Sequence, residues 1–243
     1  MSSVLLLGAA SDIACSLARK FASCGYSIQL AGRNASRFEP LQSDIAIRYN
    51  VPCTLHEFDA ARPETHAHFF SSLPDHPGIC ISIFGYLGNQ QLAETSWEEC
   101  NHIISVNYTG AVSILNIVAN DYAAAGSGTI VGISSVAGER GRGSNYYYGS
   151  AKAGFTAYLS GLRNRMFEHG VHVLTVKPGF VETKMTEDLT LPPILTAQPD
   201  EVASAIFNAV KAKKNILYVK WFWRWIMFLI KCIPESQFKK MKL

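Results

Sequence analysis

The segment Leu5-Leu6-Leu7-Gly8-Ala9-Ala10-Ser11-Asp12-Ile13-Ala14 reads as a buried strand, a tight turn of small residues and the first turn of a helix. An apolar run this short, closed by glycine, suits a strand covered on both faces. The same alternation continues outward along the chain. Apolar runs predict strands at Val4–Gly8, Ser27–Gly32, Cys53–Phe58, Ile79–Phe84, Thr129–Ser134 and Val171–Val176. Helical periodicity predicts helices over Ile13–Ser23, Arg37–Tyr49, Glu64–Leu73, Trp97–Tyr122 and Tyr148–His169. Strand–helix–strand repetition predicts a parallel sheet with helices on both faces, joined by right-handed crossovers. No internal repeat or composition break marks a second domain. The expected fold class is α/β: a single doubly wound domain over residues 1–219, with an apolar C-terminal helix in an extension over 220–243.

Composition supports this and excludes several classes. Of 243 residues, 48% are hydrophobic and 17% charged, enough apolar material for a substantial core and unlike a disordered chain. A net charge of +3, with no Lys/Arg cluster interleaved with aromatics before the C-terminus, does not point to nucleic acid. Six scattered cysteines in apolar segments, without a CxxC pair, read as reduced thiols in a reducing compartment. His66 and His68 are two apart, hence on different faces of a helix, which disfavours a metal site. The apolar run Val4–Leu7 lacks the positive flank and length of a secretory signal. No window is expected to span a bilayer, so the protein is expected in the cytoplasm, or at the inner face of a membrane.

A doubly wound sheet binds ligands at the carboxyl ends of its strands, and the chemically informative residues fall there. In the opening segment, Gly8, Ser11, Asp12 and Ile13 would let a pyrophosphate meet free amides at a helix N-terminus. An ordinary strand–helix turn with Asp12 as N-cap fits those residues equally. At the tip of the second strand stands Arg33, where sites selective for the unphosphorylated dinucleotide carry an acid. A guanidinium there suits a 2′-phosphate, so the reading favours NADP(H) over a merely solvated arginine. Asp59 ends the third strand, placed either to meet an adenine amino group or to face solvent.

Tyr148 and Lys152 are four apart and share one helix face. A nearby ammonium is expected to lower the pKa of the phenol toward the working pH. Ser135 closes the fifth strand, where its hydroxyl could orient a substrate oxygen. Asn107 sits mid-helix, a mildly unfavourable place, and its carbonyl could anchor a water joining Lys152 to solvent.

Together, Tyr148-x-x-x-Lys152, Ser135, the Asn107 motif and Lys177-Pro178-Gly179-Phe180-Val181-Glu182-Thr183 resemble the short-chain dehydrogenase/reductase family over about residues 4–219. The resemblance implies a Rossmann fold and a catalytic tetrad of Asn107, Ser135, Tyr148 and Lys152. In it Tyr148 donates the proton, Lys152 clamps the ribose and Ser135 binds the substrate oxygen. It also places Gly8, Ser11, Asp12, Ile13, Arg33, Asp59, Gly85, Tyr148, Lys152, Pro178, Gly179, Val181 and Thr183 along a bound NADP(H). The implied reaction is hydride transfer between nicotinamide and a carbonyl or alcohol carbon, in a homo-oligomer. Two departures stand out: Asp12 and Ala14 replace glycines of the usual turn, and Ser82-Ile83-Phe84-Gly85 replaces the usual Asn-Asn-Ala-Gly.

The final residues, from Leu217 through Trp221-Phe222-Trp223-Arg224-Trp225 to Ile233, are aromatic and apolar, with Lys220, Arg224 and Lys231 on one stripe. This suits a helix in a membrane interface over 220–233, a subunit interface, or a lid over the site. The tail, the variant turn and Phe84-Gly85 are similar to the branch of the family containing decaprenylphosphoryl ketopentose reductases, which implies a lipid-linked carbonyl substrate. Met185–Thr196 falls at the family's substrate loop, and Leu189, Leu191, Ile194 and Leu195 are expected to form an apolar wall. Two alternatives remain open: a soluble reductase of small ketones or 3-oxoacyl chains, and a catalytically silent dinucleotide-binding module.

Overall fold

The computed structural model describes residues 3–187 and 191–241. The first half runs β1 (Ser3–Leu7), α1 (Asp12–Ala22), β2 (Ser27–Gly32), α2 (Glu39–Tyr49), β3 (Cys53–Glu57), α3 (Pro63–Ser71) and β4 (Ile79–Ser82). Then come α4 (Gln90–Thr95), α5 (Trp97–Ile104), α6 (Gly110–Ala125), β5 (Thr129–Ile133) and α7 (Tyr146–Phe167). The last part holds β6 (His172–Lys177), β7 (Phe180–Val181), β8 (Thr196–Ala197), α8 (Pro199–Lys211), β9 (Ile216–Tyr218), α9 (Trp223–Cys232) and α10 (Glu235–Phe238).

Seven strands form one parallel sheet in the order β3-β2-β1-β4-β5-β6-β9. Strand residues alternate between two cores, as period-two geometry requires. Val4 and Leu6 face the core shared with α1, α2 and α8, through Leu17, Phe21, Ile45 and Ile206. Leu5 and Leu7 face the other, shared with α3, α6 and α7, through Phe69, Leu115, Val118 and Leu159. All four are fully buried, each contributing about 2 kcal/mol of apolar burial, which explains an uninterrupted Leu run. Because winding reverses between β1 and β4, a crevice opens beyond their carboxyl ends, where Gly8 and Phe84-Gly85 lie.

The doubly wound α/β sheet agrees with the sequence reading, and the six expected strands recur with ends shifted by a residue or two. The β9 strand falls where the aromatic tail begins; three residues are too few to show a period. The expectation about membrane-length segments needs correction. Trp97–Ala125 forms a 29-residue helical stretch long and apolar enough to span a bilayer. It packs as a core helix instead, with Ile114, Leu115, Val118 and Ala119 fully buried.

Candidate active site

The first turn of α7 carries three consecutive tyrosines, and packing separates their roles. Tyr146 is exposed, and the Tyr147 phenol is hydrogen-bonded with Tyr146. Tyr148 turns inward, with the Lys152 ammonium 5.6 Å from its ring centre, as the four-residue spacing predicts. Ser135, just past the end of β5, hydrogen-bonds the Tyr148 phenol, and its oxygen accepts the Ala137 amide at 3.1 Å. Its neighbour Ser134 is fully engaged in structure: its hydroxyl donates to the Lys152 carbonyl at 2.9 Å and pairs with Thr156. Gly138 allows this loop to touch α7, since a Cβ there would come within 2.7 Å of the Ala153 amide nitrogen.

Electrostatics correct one expectation. The Tyr148 phenol is not lowered by Lys152; burial pushes it up to about 12, opposed by the hydrogen bond from Ser135. The ammonium is directed elsewhere, donating to the Ile133 carbonyl at 3.1 Å. Burial also brings Lys152 itself down to about 8. Tyr148 therefore holds its proton at neutral pH, the state a proton donor needs.

Asn107 lies in one turn of π-helix, Ser105–Thr109, between α5 and α6. The unusual turn accounts for an asparagine that looked misplaced in a regular helix. Its Nδ2 donates to the Tyr86 carbonyl at 2.6 Å and to the Ile103 carbonyl at 2.8 Å, while Oδ1 accepts the Tyr86 amide at 3.2 Å. Gly85 is thereby held between Asn107 and Lys152: a Cβ there would lie 3.1 Å from Oδ1 and 3.5 Å from Nζ. Met185, in the expected substrate loop, reaches the same spot.

At the other end of the crevice, Gly8 has φ +101°, and a Cβ would come within 2.6 Å of the Phe84 amide nitrogen. Only glycine fits. Phe84 and Ile83 donate their amides to the Leu7 carbonyl, so the departure from the usual motif leaves β1 and β4 joined. Asp12 is not the N-cap of α1; that position is Ser11, which makes no side-chain cap bond. The Asp12 carboxylate instead accepts the Lys184 amide at 2.9 Å, tying the turn to the residue that precedes the segment expected as a substrate loop. Ile13, half-buried, follows on the first turn. Arg33 is exposed at the tip of β2. Beside it, the Glu57 carboxylate accepts the amides of Asn34 and Ala35 at 2.9 and 3.0 Å, a contact that sequence reading missed. Asp59 accepts the Ala61 amide in its own turn, and its carbonyl meets the buried His66, a core histidine that also pairs with Ser113. Among the described residues no His, Cys, Asp or Glu cluster could hold a metal.

Pro178 and Val181 are buried around the end of β6, with Gly179 packed flat against the Trp223 indole. Thr183 opens a short 3-10 turn, its hydroxyl 3.4 Å from that of Thr186. Of the expected apolar wall, Leu195 packs with Trp223, Leu191 is half-buried and Ile194 is exposed. Leu189 lies outside the described residues.

The family model for short chain dehydrogenase matches residues 2–192. The chain belongs to that family. An uncharacterised oxidoreductase of Mycobacterium tuberculosis is 34% identical over 241 residues, covering 98% of this chain and 96% of that protein. Among solved structures, a short-chain dehydrogenase from Sphingobium yanoikuyae in complex with NADPH shares the fold, with TM-score 0.83, 22% identity and 98% of each chain covered. A single-residue variant of the actinorhodin polyketide ketoreductase with NADPH also shares it, with TM-score 0.79, 21% identity, and 90% and 95% covered. The narrower resemblance to ketopentose reductases gains no support from these relatives.

This short-chain dehydrogenase is an oxidoreductase. Gly8 keeps the β1–α1 turn free of a side chain, and the first turn of α1 has no side-chain cap, so its amides could receive an anion. The tail adds what the spacing of residues could not show. Glu139, four residues past Ser135, receives Lys177 from β6, Lys231 from α9 and the Tyr218 hydroxyl. Arg140 donates to the carbonyls of Ile230, Lys231 and Ile233 and to Glu235, capping the C-terminal end of α9. These partners are distant in sequence from Glu139 and Arg140, so no periodic signal announced them.

Proposed function

We propose that this chain is an NADP(H)-dependent reductase that transfers a hydride between nicotinamide and the carbonyl or alcohol carbon of a hydrophobic or lipid-linked substrate. The observation that carries this reading is the convergence of Ser135, Tyr148 and Lys152 opposite Gly85 and Asn107 at the ends of the central strands. When bound, the dinucleotide supplies the hydride. The Ser135 hydroxyl holds the substrate oxygen, and Tyr148 delivers its proton to that oxygen. The Lys152 ammonium, anchored on the Ile133 carbonyl, is placed to hold the nicotinamide ribose by a charged hydrogen bond. Asn107 fixes the Gly85-Tyr86 backbone that lies against this centre.

Arg33 supports the phosphorylated cofactor, because a guanidinium pairs with a 2′-phosphate in bidentate fashion. Two structural relatives are complexes with NADPH, which favours the same cofactor here. Met185, Leu195 and Trp223 support an apolar substrate. Titration with NADPH and NADH, followed by fluorescence, tests the cofactor assignment. Arg33→Ala is expected to weaken NADPH by about tenfold to a hundredfold, the value of a charge-assisted contact, with NADH unchanged. Equal or tighter NADH binding would overturn the preference for the phosphate and single out Glu57. Failure to bind either nucleotide would sink the reductase reading.

A further inference from the structure

The α9 helix is apolar on two sides, and the fold uses one of them. Trp223 and Met227, with half-buried Ile226 and Ile230, pack against Val136 and Phe180. On the opposite side Trp225, Phe228 and Leu229, at helical spacings of three and four, are 57%, 54% and 66% exposed. Trp221, just ahead of the helix, is 73% exposed. Adjoining Ile194 is 81% exposed, on a segment bound to the start of the tail by Lys220 and by the Trp223 indole. Contiguous aromatic exposure of this kind marks an interaction surface.

Charge says which kind. Residues 220–243 hold six Lys/Arg against the single Glu235, a net +5, whereas the chain carries +3; the remaining residues therefore sum to −2. Glu235 is already paired with Arg140. Arg224, Lys239 and Lys240 are exposed and have no carboxylate partner among the described residues. We infer that the outward face of α9 docks on an anionic lipid surface, with Trp221, Trp225, Phe228 and Leu229 entering the interface and Arg224, Lys239 and Lys240 meeting the headgroups. A second copy of this chain is the less suited occupant. A two-fold contact uses the same patch twice and would bring these cations together. The inner face of the same helix touches Gly179 and Leu195, so the docked surface adjoins the substrate side of the crevice.

The inference does not depend on the proposed reaction. Full-length protein is pelleted with sucrose-loaded vesicles of phosphatidylcholine alone, or of phosphatidylcholine with phosphatidylglycerol, with light scattering of the free protein alongside. Binding is expected on the anionic vesicles, at least about tenfold stronger than on the neutral ones, and weakened by salt. The double variant Trp225→Glu/Phe228→Glu and the charge variant Lys239→Glu/Lys240→Glu are each expected to lose about tenfold or more while keeping the wild-type melting temperature. Absence of vesicle binding, or binding equal in wild type and both variants, overturns the inference. So does a vesicle-silent dimer that Trp225→Glu/Phe228→Glu converts to a monomer, since the stripe is then a subunit interface.

Discussion

At the residue scale, the proposed chemistry depends on how burial sets two protons. The Tyr148 phenol, pushed up to about 12, stays protonated across the working range, while Lys152, brought down to about 8, loses its charge within it. Reductive kcat/KM is therefore expected to hold steady below about pH 7 and fall above about pH 8. A profile flat to pH 10 would remove the Lys152 charge from the mechanism. Tyr148→Phe should cut turnover by a factor on the order of a hundred or more while NADPH binding persists, measured by steady-state rates and fluorescence titration. The same lysine makes a stability prediction of definite sign. Its ordinary value is 10.5, so between about pH 8 and 10.5 this lysine binds more protons in the unfolded chain than in the folded one. It therefore contributes a rise of unfolding free energy with pH, opposed above pH 9 by the Cys53 and Cys80 thiols, which burial raises, and Lys152→Met should remove the rise seen between about pH 8 and 9.

At the scale of elements, the link between the catalytic loop and the tail is electrostatic. Burial raises the Glu139 carboxyl, yet hydrogen bonds from Lys177 and Lys231 outweigh that and hold it at about 2. Its folded-state value lies below the ordinary 4.5, so its stabilisation is complete above pH 4.5 and is lost as pH falls toward 2. Glu139→Ala leaves buried Lys177 without its partner and is expected to cost about 3 kcal/mol near neutral pH, measured by urea unfolding. The difference from wild type should shrink in acid. An unchanged midpoint would show that apolar contact and Arg140 hold α9 without Glu139.

On the scale of the whole molecule, the tail is part of the packed structure even though its outer face is open. Removal of the residues after Val219 would uncover Val136, next to Ser135, together with Phe180 and Gly179. Truncated protein is expected to melt at lower temperature and bind a hydrophobic dye, whereas Trp225→Glu/Phe228→Glu should melt like wild type. Similar melting of the truncated and full-length chains would mean that the cluster under α9 contributes little. Truncation is thus a poor probe of the outer face, and point substitutions are the appropriate one.

The alternation of short apolar runs with helix-length segments determined the doubly wound sheet, because the central strands β1, β4 and β5 are covered on both faces and must be largely apolar. Local spacing likewise determined that Tyr148 and Lys152 share a face, since the helix repeat is a property of the backbone. Three matters were decided only by tertiary packing. Whether the Lys152 ammonium addresses Tyr148 or the Ile133 carbonyl depends on how α7 lies against β5. That Asp12 binds Lys184 rather than capping α1 depends on a segment 172 residues away. The division of α9 into a buried and an open face depends on Gly179 admitting Trp223, and on Glu139 and Arg140 gripping the helix from the catalytic loop. Periodicity reports which side chains share a surface; which partner that surface finds is set by contacts between residues far apart in the chain.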